Sequence, residues 1–211
     1  MNLQLGWKSK KALGRNAGVT LLEVLVSLLV LSFGLLGVAG LQAVTASYKV
    51  NSWARNSAAL LLSDFAERVR ANPEAAKPVA GVGLYEVKTP WSSTAEVPSL
   101  VSDENCLDKL CGPKQRAAYD LWAWRKRVRG EMPQGSAWVE GDRDQGFKVT
   151  LMWMDKGFTG AGDDKATLQS STTCSAADPS DPSSSVQQAS CCPSDAKVAI
   201  GVRCQNFFFK P

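Results

Sequence analysis

Histidine is missing from all 211 residues. That removes the commonest general base and the commonest metal ligand, so hydrolytic triads and imidazole-bound zinc lose their main ingredient. Acids are missing from residues 1–18, which carry Lys8, Lys10, Lys11 and Arg15. Those cations account for the whole formal net charge of +4, so the rest of the chain is formally neutral. Overall charge therefore gives no support to a domain-wide nucleic-acid surface. Cysteine does not occur before residue 106. Internal repeats, a phosphate-cradling glycine loop and a nucleophile–base pair are absent too. The sequence carries no sign of catalysis and calls for no cofactor.

Hydrophobic residues make up 45% and charged residues 21%, enough apolar material to bury a core. The length suits one ordinary domain with appendages. The six cysteines are Cys106, Cys111, Cys174, Cys191, Cys192 and Cys204. An even number confined to one region favours disulfides in an oxidising compartment over reduced buried thiols. Zinc fits less well, because paired C-x-x-C knuckles are lacking. The spacing allows a short Cys106–Cys111 bridge and a long closure from Cys204 to the 174–192 loop, and leaves the full pairing open.

The 25 residues from Val24 to Tyr48 carry no formal charge. At about 1.5 Å per helical residue they reach roughly 37 Å, enough to cross a hydrocarbon core of about 30 Å. The basic flank precedes the run, so the positive-inside rule keeps residues 1–18 in the cytoplasm and sends the remainder outward. A secretory signal peptide has a shorter apolar region, although Val44-Thr45-Ala46 is a tolerable cleavage site. A plain signal anchor leaves Glu23 unexplained. An acid just inside an apolar stretch is costly, and it marks a functional position that needs a named partner.

The string Gly18-Val19-Thr20-Leu21-Leu22-Glu23-Val24, behind a basic leader and ahead of the apolar run, supplies one. It resembles the class III leader of type IV pilins and pseudopilins. The resemblance implies cleavage by a prepilin peptidase between Gly18 and Val19, then N-methylation of Val19; Val19 stands where Phe or Met is common. The new ammonium lies four residues before Glu23, and positions i and i+4 share a helix face. In side-by-side helices with an axial offset, the Glu23 carboxylate of one subunit meets the Val19 ammonium of the next. Low dielectric strengthens that attraction and penalises an unpaired charge. Glu23 is then an assembly residue. Gly34, Gly37 and Gly40 have two readings, close helix packing or a segment that unwinds easily.

Beyond the membrane run, Val50, Ala54, Ala58, Leu61, Phe65 and Val69 recur at three- and four-residue spacing, an amphipathic pattern that Asn72-Pro73 ends. A helix over 19–72 is predicted, membrane-spanning over 19–48 and amphipathic over 49–72. Residues 73–113 read as loop with one strand near Val82–Val87. A second helix is expected over 114–130, burying Ala117, Leu121, Trp124 and Val128. Its Arg125, Lys126, Arg127 and Arg129 beside Trp122 suit a solvated helix face better than a nucleic-acid site. A hairpin follows: Ala137-Trp138-Val139, the turn 141–146, then Phe147, Val149, Leu151 and Trp153 as the single buried face of a strand. Asp142-x-Asp144 lacks the glycine and glutamate positions of a calcium loop and reads as a turn. Residues 170–192 read as a long surface loop tied down by disulfides. A last strand is expected to start at Val198 and bury Ile200, Val202 and Cys204, with Phe207-Phe208-Phe209 finishing the core.

Leu21–Leu31, Gly34-Leu35-Leu36-Gly37 and Glu67-Arg68-Val69-Arg70-Ala71-Asn72-Pro73 are similar to the minor pilins of the PilV type. Met132-Pro133-Gln134-Gly135-Ser136 and the Val149–Trp153 strand add to that likeness. The resemblance implies an α+β, type IV pilin-like fold, with a long N-terminal helix packed on an antiparallel sheet. It divides the chain into a leader at 1–18, a helix at 19–72 and a periplasmic head at 73–211. It implies a non-enzymatic subunit that promotes pilus assembly in a priming or tip complex. The implied partners are prepilin peptidase, other minor pilins, the major pilin, a large tip adhesin and, before assembly, inner-membrane lipid; nucleic acid and metals are not among them. A minor pseudopilin of type II secretion shares the same leader, and a membrane-anchored periplasmic binding module remains the alternative from another class.

Overall fold

The computed structural model describes residues 18, 20–79, 82–92, 94, 96–159, 167–175 and 182–211. By compactness the chain divides into residues 1–45 and 46–211, and each unit is taken by itself. The helix α1 runs Leu21–Ala71. Its first part, Leu21–Ala46, has a mean hydropathy of 2.5 and buries nothing inside the protein.

In the second unit α1 turns one face inward. Ala54, Ala58, Leu61, Phe65 and Val69 are buried, the stripe that three- and four-residue spacing places on one side. The side chain of Val50, expected on the same stripe, lies outside the described residues. Pro73 cannot continue the helix, and Asn72 leaves helical geometry at φ −132° before the single turn α2 (Pro73–Ala76). Two-residue strands β1 (Pro78–Val79) and β2 (Val82–Gly83) pair antiparallel. The single strand expected near Val82–Val87 is thus that short pair plus one bridge, in which Val87 and Val139 exchange backbone hydrogen bonds of 3.0 and 2.8 Å.

The helix α3 (Pro113–Glu131) starts with proline in its first turn, where the missing N–H costs nothing. Its Ala117, Trp124 and Val128 are buried and Leu121 packs beside them, as the spacing requires. The Trp124 indole donates a 2.7 Å hydrogen bond to the Leu61 carbonyl, tying α3 to α1.

Strands β3 (Ser136–Asp142), β4 (Gly146–Met154) and β5 (Val202–Phe209) form an antiparallel sheet in that order. Asp142 Oδ1 accepts the N–H groups of Asp144 and Gln145 at 2.7 and 2.9 Å, so the aspartates shape the β3–β4 turn. Gly135 leads into β3. A Cβ there would sit 2.2 Å from the Val128 carbonyl oxygen, so only glycine lets the chain pass this close to α3.

Two expectations about the sheet are corrected. First, β4 is buried on both faces. Phe147, Val149, Leu151 and Trp153 join the core with α1 and α3, while Met152 packs with Trp91, Trp138, Cys192, Ala196, Val202 and Cys204. Trp91, Cys192 and Ala196 cover the second face at Met152. Second, the last strand starts at Val202. Lys197 (φ +47°) and Gly201 (φ +85°) turn the chain, and Ile200 is exposed. The strand instead runs through the phenylalanines: Phe207 and Phe209 pack on the core, whereas Phe208 is 71% exposed. The 170–192 segment also departs from a plain loop, since it contains the helix α4 (Pro182–Ser190).

Candidate functional site

Helix α1 begins with a cap. Thr20 Oγ1 accepts the Glu23 N–H at 3.3 Å, and the Thr20 carbonyl accepts from Glu23 and Val24. Thr20-Leu21-Leu22-Glu23 has the spacing of a capping box, and Glu23 stands in the first turn, where the helix dipole favours an anion. No described residue pairs with the Glu23 carboxylate. Gly18 is exposed, and Val19 lies outside the described residues.

After Glu23 the helix carries no charge as far as Ala46. Its hydroxyls are satisfied internally: Ser27, Ser32 and Thr45 donate to the carbonyls of Glu23, Leu28 and Leu41 at 2.7, 2.7 and 2.9 Å. Internal satisfaction of polar groups is what hydrocarbon demands. Gly34, Gly37 and Gly40 all lie within α1, and a Cβ at any of them meets nothing within 4 Å. No contact among the described residues requires those glycines.

In the head a polar knot joins α1, the loop before α3, and α3 itself. Asp120 lies on the inner side of α3, with its side chain 4% exposed. It receives the Tyr85 hydroxyl at 3.0 Å, Arg68 Nη1 at 3.3 Å and Arg116 Nε at 3.4 Å. Asn72 Nδ2 donates to the Pro113 carbonyl at 2.8 Å and to the Tyr85 hydroxyl oxygen at 3.2 Å. Burial pushes the Tyr85 hydroxyl pKa well above its ordinary value; the Asn72 bond opposes this and the Asp120 charge adds to it. This knot escaped the sequence reading. Its signal was Asp120 falling on the Ala117–Leu121–Trp124 stripe, where a lone acid needs partners.

Three disulfides staple the head: Cys106–Cys111, Cys174–Cys191 and Cys192–Cys204. Cys192–Cys204 ties the chain just beyond α4 to β5, Cys174–Cys191 ties the residue after α4 to the segment 167–175, and Asn206 Nδ2 donates to the carbonyls of Gln188 and Cys191 at 2.7 and 2.9 Å. Among the described residues no cluster of acids and cysteines could hold a metal. Arg127, one of the α3 cations, is taken by Asp64 at 2.9 Å and Glu131 at 2.8 Å.

A long apolar N-terminal helix followed by helices and a three-stranded antiparallel sheet is a type IV pilin-like α+β fold. The sequence matches the family described as type IV pilin Tt1218 over residues 40–122, and the prokaryotic N-terminal methylation motif over residues 13–39. No curated protein and no solved structure matches. The two family matches support a type IV pilin or pseudopilin. The methylation motif implies processing by a prepilin peptidase and assembly with other pilins.

Proposed function

We propose that this chain is a minor pilin of the PilV type that helps to build a type IV pilus. It is made with the leader 1–18, cut after Gly18 and N-methylated on Val19. The helix 19–72 holds it in the inner membrane, with the head 73–211 in the periplasm. From there it enters a priming or tip complex with other minor pilins, and the major pilin is a further partner. A large tip adhesin is a further partner. It is a structural subunit, not an enzyme.

The observation that carries this reading is Glu23: an acid in the first turn of a helix that is exposed and otherwise uncharged as far as Ala46, with no partner among the described residues. A neighbour's Val19 ammonium answers that need. At about 4 Å and an effective dielectric of about 20, the pair is worth about 4 kcal/mol of attraction, enough to favour one axial register over its alternatives. Gly34, Gly37 and Gly40 leave one side of the helix open for close approach of another.

Glu23→Gln removes the charge at nearly unchanged side-chain size; Glu23→Ala removes the side chain as well. Both variants are expected to insert in the membrane at normal levels and to be missing from sheared filaments. Normal recovery of Glu23→Gln in filaments would overturn the ion pair.

A further inference from the structure

The cations that α3 presents beside Trp122 have separate fates. Arg127 is consumed by Asp64 and Glu131. Lys126 and Arg129 instead line a groove of about 990 Å³ between α3 and the segment 94–107. Lys126 Nζ stands 4.7 Å from the centre of the Trp122 ring, and Arg129 Nη1 donates to the Ser92 carbonyl at 3.1 Å. Arg125 borders two smaller hollows that share Val97 with the groove, and no described residue accepts a hydrogen bond from it or pairs with it. Burial pushes its guanidinium below the ordinary arginine value, a cost that an incoming anion would relieve.

Acids are too few to balance these cations. Glu96 lines the groove and Glu104 the neighbouring hollow, but neither pairs with them among the described residues; Glu86 is held by Lys88 at 3.2 Å. The rest of the wall mixes the aliphatic Val97, Leu100 and Leu107 with the polar Thr94, Ser99, Ser102 and Asn105. Leu100 and Leu107 line the groove, and Leu107 is 72% exposed on the loop that Cys106–Cys111 closes. Trp122 and Arg129 beside these leucines bring together residue types enriched in protein-binding interfaces.

We propose that this groove docks an acidic peptide segment of a partner protein, its carboxylates on Lys126, Arg129 and Arg125 and its aliphatic side chains on Leu100 and Leu107. A sugar or a nucleobase is disfavoured, because Lys126 occupies a face of Trp122 on which either would stack. The inference rests on the head alone and stands whether or not the chain enters a pilus.

The test is fluorescence anisotropy on the full chain in neutral detergent micelles, with a short labelled peptide of alternating Glu and Leu. Comparators are an all-Glu peptide of equal length and a heparin oligosaccharide. The Glu–Leu peptide is expected to bind saturably and more tightly than either comparator. Lys126→Glu and Leu107→Ser should each weaken it by about tenfold, a size usual for one interface side chain, and Lys114→Glu, on the same helix outside the groove, should leave it unchanged. Both groove positions are exposed, so folding is preserved, and unchanged circular dichroism checks this. Absence of binding, equal or tighter binding of either comparator, or indifference to the two groove variants would overturn the proposal.

Discussion

Replacing Phe65 by alanine is the most direct probe of the head's core. Phe65 is 1% exposed. Its ring centre lies 4.6 Å from that of Trp124, 5.8 Å from Phe209, 6.0 Å from Tyr85 and 6.1 Å from Phe147. One side chain of α1 thus touches α3, β4, β5 and the loop before α3. Truncation removes the buried ring and leaves a cavity that four fixed aromatic neighbours cannot collapse into. The expected loss is about 3–5 kcal/mol, a large share of the roughly 5–15 kcal/mol typical of a domain. Urea unfolding of the full chain in detergent micelles, followed by tryptophan fluorescence, measures it directly, with Trp124 as a reporter in contact with the mutated site. Phe208→Ala is the control. That ring is 71% exposed and should move stability by no more than about 0.5 kcal/mol. Equal losses for the two variants, or a loss below about 1 kcal/mol for Phe65→Ala, would refute the placement of α1 in the core.

Two further outcomes are expected. The buried Tyr85 hydroxyl has its pKa raised on folding, so the unfolded state loses that proton first as pH rises. Stability from this group is complete below the ordinary tyrosine pKa of about 10, and falls by about 1.4 kcal/mol per pH unit above it. Tyr85→Phe should flatten that alkaline limb in urea titrations; an unchanged limb would show that another group controls it. Cys204→Ser opens the Cys192–Cys204 bridge and should cost about 2–4 kcal/mol under oxidising conditions. An unaltered thermal midpoint would contradict a stabilising role.

Local pattern made much of this fold readable. The uncharged run after Glu23 gave the apolar helix, and the spacing of Ala117, Leu121, Trp124 and Val128 gave the buried face of α3. What stayed hidden depends on chain that arrives from far away. The Lys148–Thr150–Met152 side of β4 looks polar enough for water, yet Trp91, Cys192 and Ala196 cover Met152. The alternation of Val198 and Ile200 continues that of Val202 and Cys204, but two left-handed residues, Lys197 and Gly201, break the line. Helix α4 has a serine-rich sequence with no apolar stripe, and Cys174–Cys191 fastens the residue that follows it to the segment 167–175. Asp120 falls on the apolar stripe of α3, but its partners Arg68 and Tyr85 come from distant parts of the chain that local spacing does not reveal. At the amino terminus, the Gly18–Glu23 string was legible as chemistry because its spacing carries the meaning without tertiary contacts.

Mass spectrometry of the amino terminus of the chain isolated from membranes tests the central claim most directly. The account predicts a chain that starts at Val19 and carries one methyl group on its amine. A chain that retains Met1, or one that begins at Ser47, has no ammonium at Val19 for a neighbour's Glu23, and either result would contradict the account.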